Sequence, residues 1–141
     1  MAGLGVRVVI VDRVNLEKVV FGFFVLLAAT LNFGFFLGDM TDPTVHNIIE
    51  LYAAVIVNII ATILKFGDRT QLGAVHLATS LVADIQLIMA AAVWILATGG
   101  ASEGVAAHQM ASIVSLSGGA LLANLVSLVL LVSETISFRR R

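Results

Sequence analysis

Four stretches of this chain run for about 20 residues or more with almost no charge, and that feature constrains the fold more than any other. A bilayer core of about 30 Å is crossed by a helix of about 20 residues, and residues 16–38, 43–66, 71–98 and 103–136 each meet that length. Inside lipid every backbone polar group must be satisfied internally, which leaves helices or a closed barrel. The apolar runs are continuous rather than alternating, so helices are expected. Composition agrees: 60% of the 141 residues are hydrophobic and only 12% charged. A soluble domain carries about 25% charged residues. The expected fold class is all-α, an integral membrane four-helix bundle forming one domain over residues 1–141, with 1–15 as an interfacial N-terminal segment.

The ends of the spans carry local signals. Only Glu17 and Lys18, at its start, are charged in the first span. Asp42 reads as the N-cap of the second, with Pro43 at its first position and Gly67 at C′. The third stops at Gly99-Gly100, and Ser102 is placed to cap the fourth. The first span stays apolar to Leu37, too long for a cleaved signal segment. Before it, Val6–Val11 is apolar but too short to cross; it reads either as interfacial or as an extension ahead of a start near Val14.

Charge then gives an orientation. Arg7, Arg13, Lys18, Lys65, Arg69, Arg139, Arg140 and Arg141, all eight basic residues, fall on one side of the expected topology. The opposite loops hold Asp39, Asp42 and Glu103. The positive-inside rule makes both termini cytoplasmic and argues against dual-topology insertion. A net charge of −1 offers no basic surface to nucleic acid. The absence of cysteine excludes disulfides, thiolate metal sites and thiol catalysis.

In lipid, apolar residues say little about facing, whereas polar and small ones mark helix contacts or a water path. The first span repeats Lys18, Val25, Asn32 and Asp39 every seven residues, with Gly22 and Ala29 flanking that face. The second carries His46, Glu50, Ala54, Asn58 and Thr62 every four. The third aligns His76, Ser80 and Asp84, with Gln86 to the side. The fourth has a small stripe, Ala111, Ser115, Gly119, Ala123 and Ser127, and a second running Ser117, Asn124 and Leu131. Gly34 and Gly38 read as a Gly-x-x-x-Gly contact, and Ser115, Gly119 and Ala123 as a helix-packing face.

Asp84 stands apart. It lies thirteen residues into the third span, near the expected midplane, with no Lys or Arg in any span core. Ionised and unpaired it would cost at least ~2.5–3.5 kcal/mol, so it carries its proton, binds a cation or faces a water-filled cavity. Together with Asn58, Glu50, Asn32 and Asn124 it makes a candidate ion path; the competing reading of the asparagines is hydrogen bonding between helices. Glu50 could form a cation-attracting ring in an oligomer, or bond Tyr52 or pair with His46. Glu17 and Glu134 lie beside basic residues at the cytoplasmic boundary, as solvated or ion-paired groups.

Other chemistry fits poorly. A bis-histidine haem needs two histidines at matched depth, and of the three only His46 and His108 qualify, both near helix starts where exposure is the simpler reading. No metal, no cofactor and no enzymatic constellation of nucleophile, base and pocket is expected. The run Thr30–Asp39 echoes a potassium-channel filter, but its glycines lie four apart at the end of a membrane helix.

Asn15–Val20, Leu31–Phe35, Leu64–Gln71 and Ala78–Asp84 together resemble a small family of bacterial four-helix inner-membrane proteins of unknown function. The resemblance covers most of the chain from Asn15 onward and implies a bacterial inner membrane, but no activity. In its strongest piece Gly67 ends one helix, Asp68 and Arg69 can pair across a tight turn, and Thr70 can cap the next. Small multidrug exporters are similar in size but hold their acid in the first span, and fluoride channels have a dual-topology habit that the charge bias opposes. Two functions follow as expectations: a homo-oligomeric cation channel or proton-linked transporter with a midplane carboxylate, or a non-catalytic accessory or assembly subunit of a larger membrane complex. Partners are then the lipid bilayer, a second copy, or another membrane protein.

Overall fold

The computed structural model describes residues 2–67 and 70–140, with side chains over 16–67 and 70–136. Four helices form it: α1 (Ala2–Phe36), α2 (Ile48–Lys65), α3 (Gln71–Thr98) and α4 (Ala107–Arg140). Each packs against its chain neighbours, and α4 closes back on α1, giving an up-down-up-down ring. The start of α1 and the end of α4 therefore share one end of the bundle with the α2–α3 turn. The other end holds the α1–α2 and α3–α4 connections.

All four helices are long and apolar enough to cross a membrane, over Leu16–Phe36, Ile48–Lys65, Gln71–Thr98 and Ala107–Ile136. Only 33–39% of each window is buried, so most of this apolar surface points outward. Leu96 is 85% exposed and Ile49 71%. A water-soluble monomer rarely shows an apolar patch of more than a few hundred Å². This surface suits contact with lipid, while small and polar side chains such as Ala28, Asn32, Ala54, Asn58, Ala83, Asp84 and Ser117 turn inward.

Several helix ends differ from the sequence expectation, each for a local reason. Asp42 does cap, accepting the Thr44 N–H, but it caps a single 3₁₀ turn over Pro43–Val45. Extended backbone at His46 and Asn47 interrupts the helix, and Asn47 then caps α2 through the Ile49 N–H. The interruption follows from His46, whose ring is bound to carbonyls of the preceding segment. α2 ends on Phe66 in the right-handed region, and Gly67 lacks the left-handed turn expected at C′. Thr70 caps α3, accepting from Gly73 N, and Gly99 closes that helix at φ +68.

α4 starts at Ala107, four residues later than Ser102 would place it. Gly104 takes a positive φ of 104, and Gln109 Oε1 instead accepts the Ala106 N–H at 3.0 Å. α1 ends at Phe36, and its helical backbone begins at Ala2. The expected Asp68–Arg69 pairing lies outside the described residues.

The two ends of the bundle are packed differently. At the connection end Phe35, Leu51, Leu87, Trp94, Met110, Ile113 and Val114 form a sealed apolar core. Trp94 Nε1 donates to Ala101 O at 3.0 Å and ties the α3–α4 connection to it. At the terminal end the apolar cluster shrinks to Phe21, Val25 and Ala61 with Phe24, Leu128 and Leu131 against them. Polar groups take up the remaining interior there.

Candidate functional site

The polar interior is built from the four-residue stripes of α2 and α3. Asp84 lies halfway along the 28-residue α3. Its Oδ1 accepts from Asn58 Nδ2 and its Oδ2 from Thr62 Oγ1, both at 2.6 Å. Asn58 Nδ2 also reaches Ser80 O, one turn before Asp84, at 3.3 Å. All three side chains are sealed, with Asp84 8%, Asn58 1% and Thr62 5% exposed.

From this halfway point the carboxylate meets α2 on the side toward the terminal end of the bundle. Helical side chains lean toward the N-terminus of their own helix, which for α3 is the terminal end of the bundle. The partners Asn58 and Thr62 lie in the second half of α2, about 10 and about 4.5 Å of helix rise before Lys65.

Hydrogen counting shows what the site can do. Thr62 Oγ1 also lies 3.0 Å from Asn58 O, so two acceptors face one hydroxyl hydrogen. With Asp84 ionised, the hydroxyl donates to Oδ2. With Asp84 carrying a proton on Oδ2, that proton is donated to Thr62 Oγ1 and the hydroxyl turns to Asn58 O. Asn58 spends its two amide hydrogens on Oδ1 and Ser80 O in both cases. No buried acceptor is stranded in either state, which removes the usual penalty of leaving one unpaired. The Asn58 amide presents nitrogen rather than oxygen to the carboxylate, so it offers no oxygen ligand to a metal cation there. Among the described residues no three His, Asp or Glu side chains gather into a metal-binding group.

The remaining candidate path residues occupy other helix contacts. Asn32 faces α4 and meets the Ser117 hydroxyl at 2.5 Å; with its amide turned so that nitrogen faces the acceptors, it would donate to Ser117 O and accept from Leu121 N. Glu50 neither pairs with His46 nor bonds Tyr52. Its carboxylate lies over Gly34 of α1, where a Cβ would sit 2.5 Å from Oε2, and that oxygen is buried without a hydrogen-bond partner. Asn124 is buried with Nδ2 unpartnered. The structure therefore brings Asp84 and Asn58 together and leaves Glu50, Asn32 and Asn124 at separate places.

The expected packing glycines and small residues also divide. Gly34 makes room for Glu50 rather than for a second backbone. Gly38 lies beyond α1 at φ +105 against Val45, so the two do not form a helix-packing pair. Gly119 faces the Gln86 side chain, Ala123 is buried, and Ser115 points outward. Gly119 and Ala123 also line an open groove of about 410 Å³ between α3 and α4.

Below Asp84, at the terminal end, lies a cluster not singled out from the sequence. Lys18 Nζ is 3.4 Å from Glu134 Oε1, and His76 Nε2 is 3.7 Å from Glu134 Oε2. The Phe21 ring meets His76 edge-on and takes Lys65 Nζ over its face at 4.2 Å. All four helices contribute, and the signal available was that Lys18, Lys65, His76 and Glu134 share one expected depth. His46, expected as an exposed helix-start residue, is 4% exposed, its ring between Phe35 O and Asp39 O. In the same connection Asp39 is held below its usual value by the Thr41 backbone N–H and then its hydroxyl, and Asp42 by the Thr44 hydroxyl and then its N–H.

Fold and site together have the build of a multi-pass membrane protein with a buried acid between its second and third helices. Residues 45–135, more than half of the chain, match a family of unknown function (DUF6394), and the chain belongs to that family. The matched region includes Asn58, Thr62 and Asp84, and α1 precedes it. Among curated proteins and solved structures the chain has no match.

Proposed function

We propose that this is a non-enzymatic membrane protein that carries a proton on Asp84 as part of a homo-oligomeric, proton-linked transport pathway. The observation that carries the reading is the Asp84–Asn58–Thr62 site, whose hydrogen bonds can be completed with the carboxyl ionised or protonated. An intramembrane acid is by default a functional group. The orientation that goes with this reading is that of a bacterial inner-membrane protein with both termini, and Lys18 and Lys65, on the cytoplasmic side. Asp84 then exchanges its proton with that side, and self-association supplies the rest of the path.

The test is flux in proteoliposomes under H⁺, Na⁺ and K⁺ gradients, with Asp84→Asn alongside. Proton movement in the wild type that disappears in a variant of unchanged oligomeric state supports the assignment. Equal flux in the two proteins removes Asp84 from the pathway. A second reading, an accessory or assembly subunit of a larger membrane complex, draws support from the separation of Asn32, Glu50 and Asp84 into three different helix contacts. Purification in mild detergent distinguishes them: a self-oligomer favours transport, and a persistent different membrane protein favours the accessory role.

A further inference from the structure

We infer that His46 is held as an imidazolium between two backbone carbonyls and serves as a proton-dependent latch fixing the end of α1 to the connection that enters α2. The inference concerns the connection end of the bundle and stands independently of the role of Asp84. His46 Nδ1 lies 2.5 Å from Phe35 O, and Nε2 lies 2.7 Å from Asp39 O. A carbonyl oxygen only accepts, so each ring nitrogen must bring a hydrogen, whereas a neutral imidazole has one. The Nε2 distance is that of a charge-assisted bond, and Nδ1 is in close contact with its carbonyl. Phe35 is one residue from the end of α1, among the carbonyls that lack a helical partner and gather partial negative charge.

The surroundings favour the cation. Asp39 and Asp42 belong to the same connection, and electrostatic attraction to a charged ring would be the weakest of the influences lowering both carboxyls. The Phe35 ring packs against it at 5.4 Å between centroids. Glu50, one turn into α2, turns its buried oxygen toward Gly34 of α1. Glu103 and His108, on the other connection at this end, are exposed. The latch also accounts for the break in the helix: Gly38 at φ +105 and extended backbone at His46 bring the ring to carbonyls 11 and 7 residues back. Loss of the proton leaves one of the two carbonyls without its donor. The latch is therefore closed at low pH and opens as pH rises through the point where the ring becomes neutral.

The test uses the full chain in lipid nanodiscs with ¹⁵N-labelled histidine. The His46 signal is assigned by its loss in His46→Gln or, if that variant does not fold, by elimination with His76→Gln and His108→Gln. At a pH where free histidine in the same buffer is mostly neutral, both ring nitrogens of His46 should carry hydrogens. When the ring does become neutral, amide exchange over residues 36–47 should accelerate about tenfold, the effect of losing one hydrogen bond to a charged group. A His46 ring already neutral alongside free histidine overturns the inference. So does exchange in that segment that ignores the loss of the proton.

Discussion

The connection end and the terminal end of this bundle solve the same packing problem with opposite materials. At the connection end the interior is filled by Trp94, Phe35, Leu51, Leu87 and Met110, all essentially sealed. At the terminal end it holds Asp84, Asn58, Thr62, Ser80, His76 and Lys65, with only a small apolar cluster around Phe21. In lipid the difference matters less to stability than it would in water, because burying an apolar side chain away from lipid gains no hydrophobic transfer energy. Shape and van der Waals contact hold the connection end. Hydrogen bonds, each contributing about 0.6–1.7 kcal/mol in membranes, hold the terminal end. The interior of one end is thus chiefly apolar packing and that of the other chiefly hydrogen bonding, with the His46 bonds at the rim of the apolar end.

The largest effect expected on stability is at the apolar end. Trp94→Ala opens a cavity and removes the donor to Ala101 O, and should cost about 3 kcal/mol in reversible unfolding from mixed micelles. A loss no larger than that of Asp84→Asn would erase the distinction between the ends. Next, Gly38→Ala should cost about 1–3 kcal/mol, because φ is +105 and Val45 Cγ2 would meet the new Cβ at 2.7 Å. Gly67→Ala, with open space and no positive φ, should change stability by less than about 0.5 kcal/mol. Similar losses in the pair would show that the α1–α2 connection is not a constrained segment.

At the polar end, Asp84→Asn and Thr62→Val should each cost only about 1 kcal/mol while strongly reducing proton movement in proteoliposomes. Large unfolding effects would mean that these groups serve the fold. The smallest effect concerns pH at the connection end. Asp39 and Asp42 are shifted down on folding, so their contribution is fully present above the ordinary carboxyl value of 3.8. It should be lost as pH falls through their lower folded values. Amide exchange over 39–45 should therefore show a second rise at strongly acidic pH, separate from the one that follows loss of the His46 proton, and Asp39→Asn together with Asp42→Asn should remove that acidic dependence.

Much of this was legible in the sequence, and the limits have physical causes. Four long apolar runs suffice to give four helices, and the four-residue stripes Asn58–Thr62 and Ser80–Asp84 brought the central polar contact within reach. Two features were not legible. The start of α2 depends on bonds from His46 to carbonyls 7 and 11 residues away, which no local propensity encodes. A polar stripe also does not name its neighbour: Asn32 met α4 and Glu50 met Gly34, so residues that looked like one path face separate contacts.

The most direct test of the central claim, that Asp84 holds an exchangeable proton, is infrared difference spectroscopy of the protein in lipid during a pH step. The account predicts a carboxylic C=O band that appears on acidification, shifts when Thr62→Val removes its hydrogen-bond partner, and is absent in Asp84→Asn. A spectrum in which no band depends on Asp84 across the physiological range would contradict it.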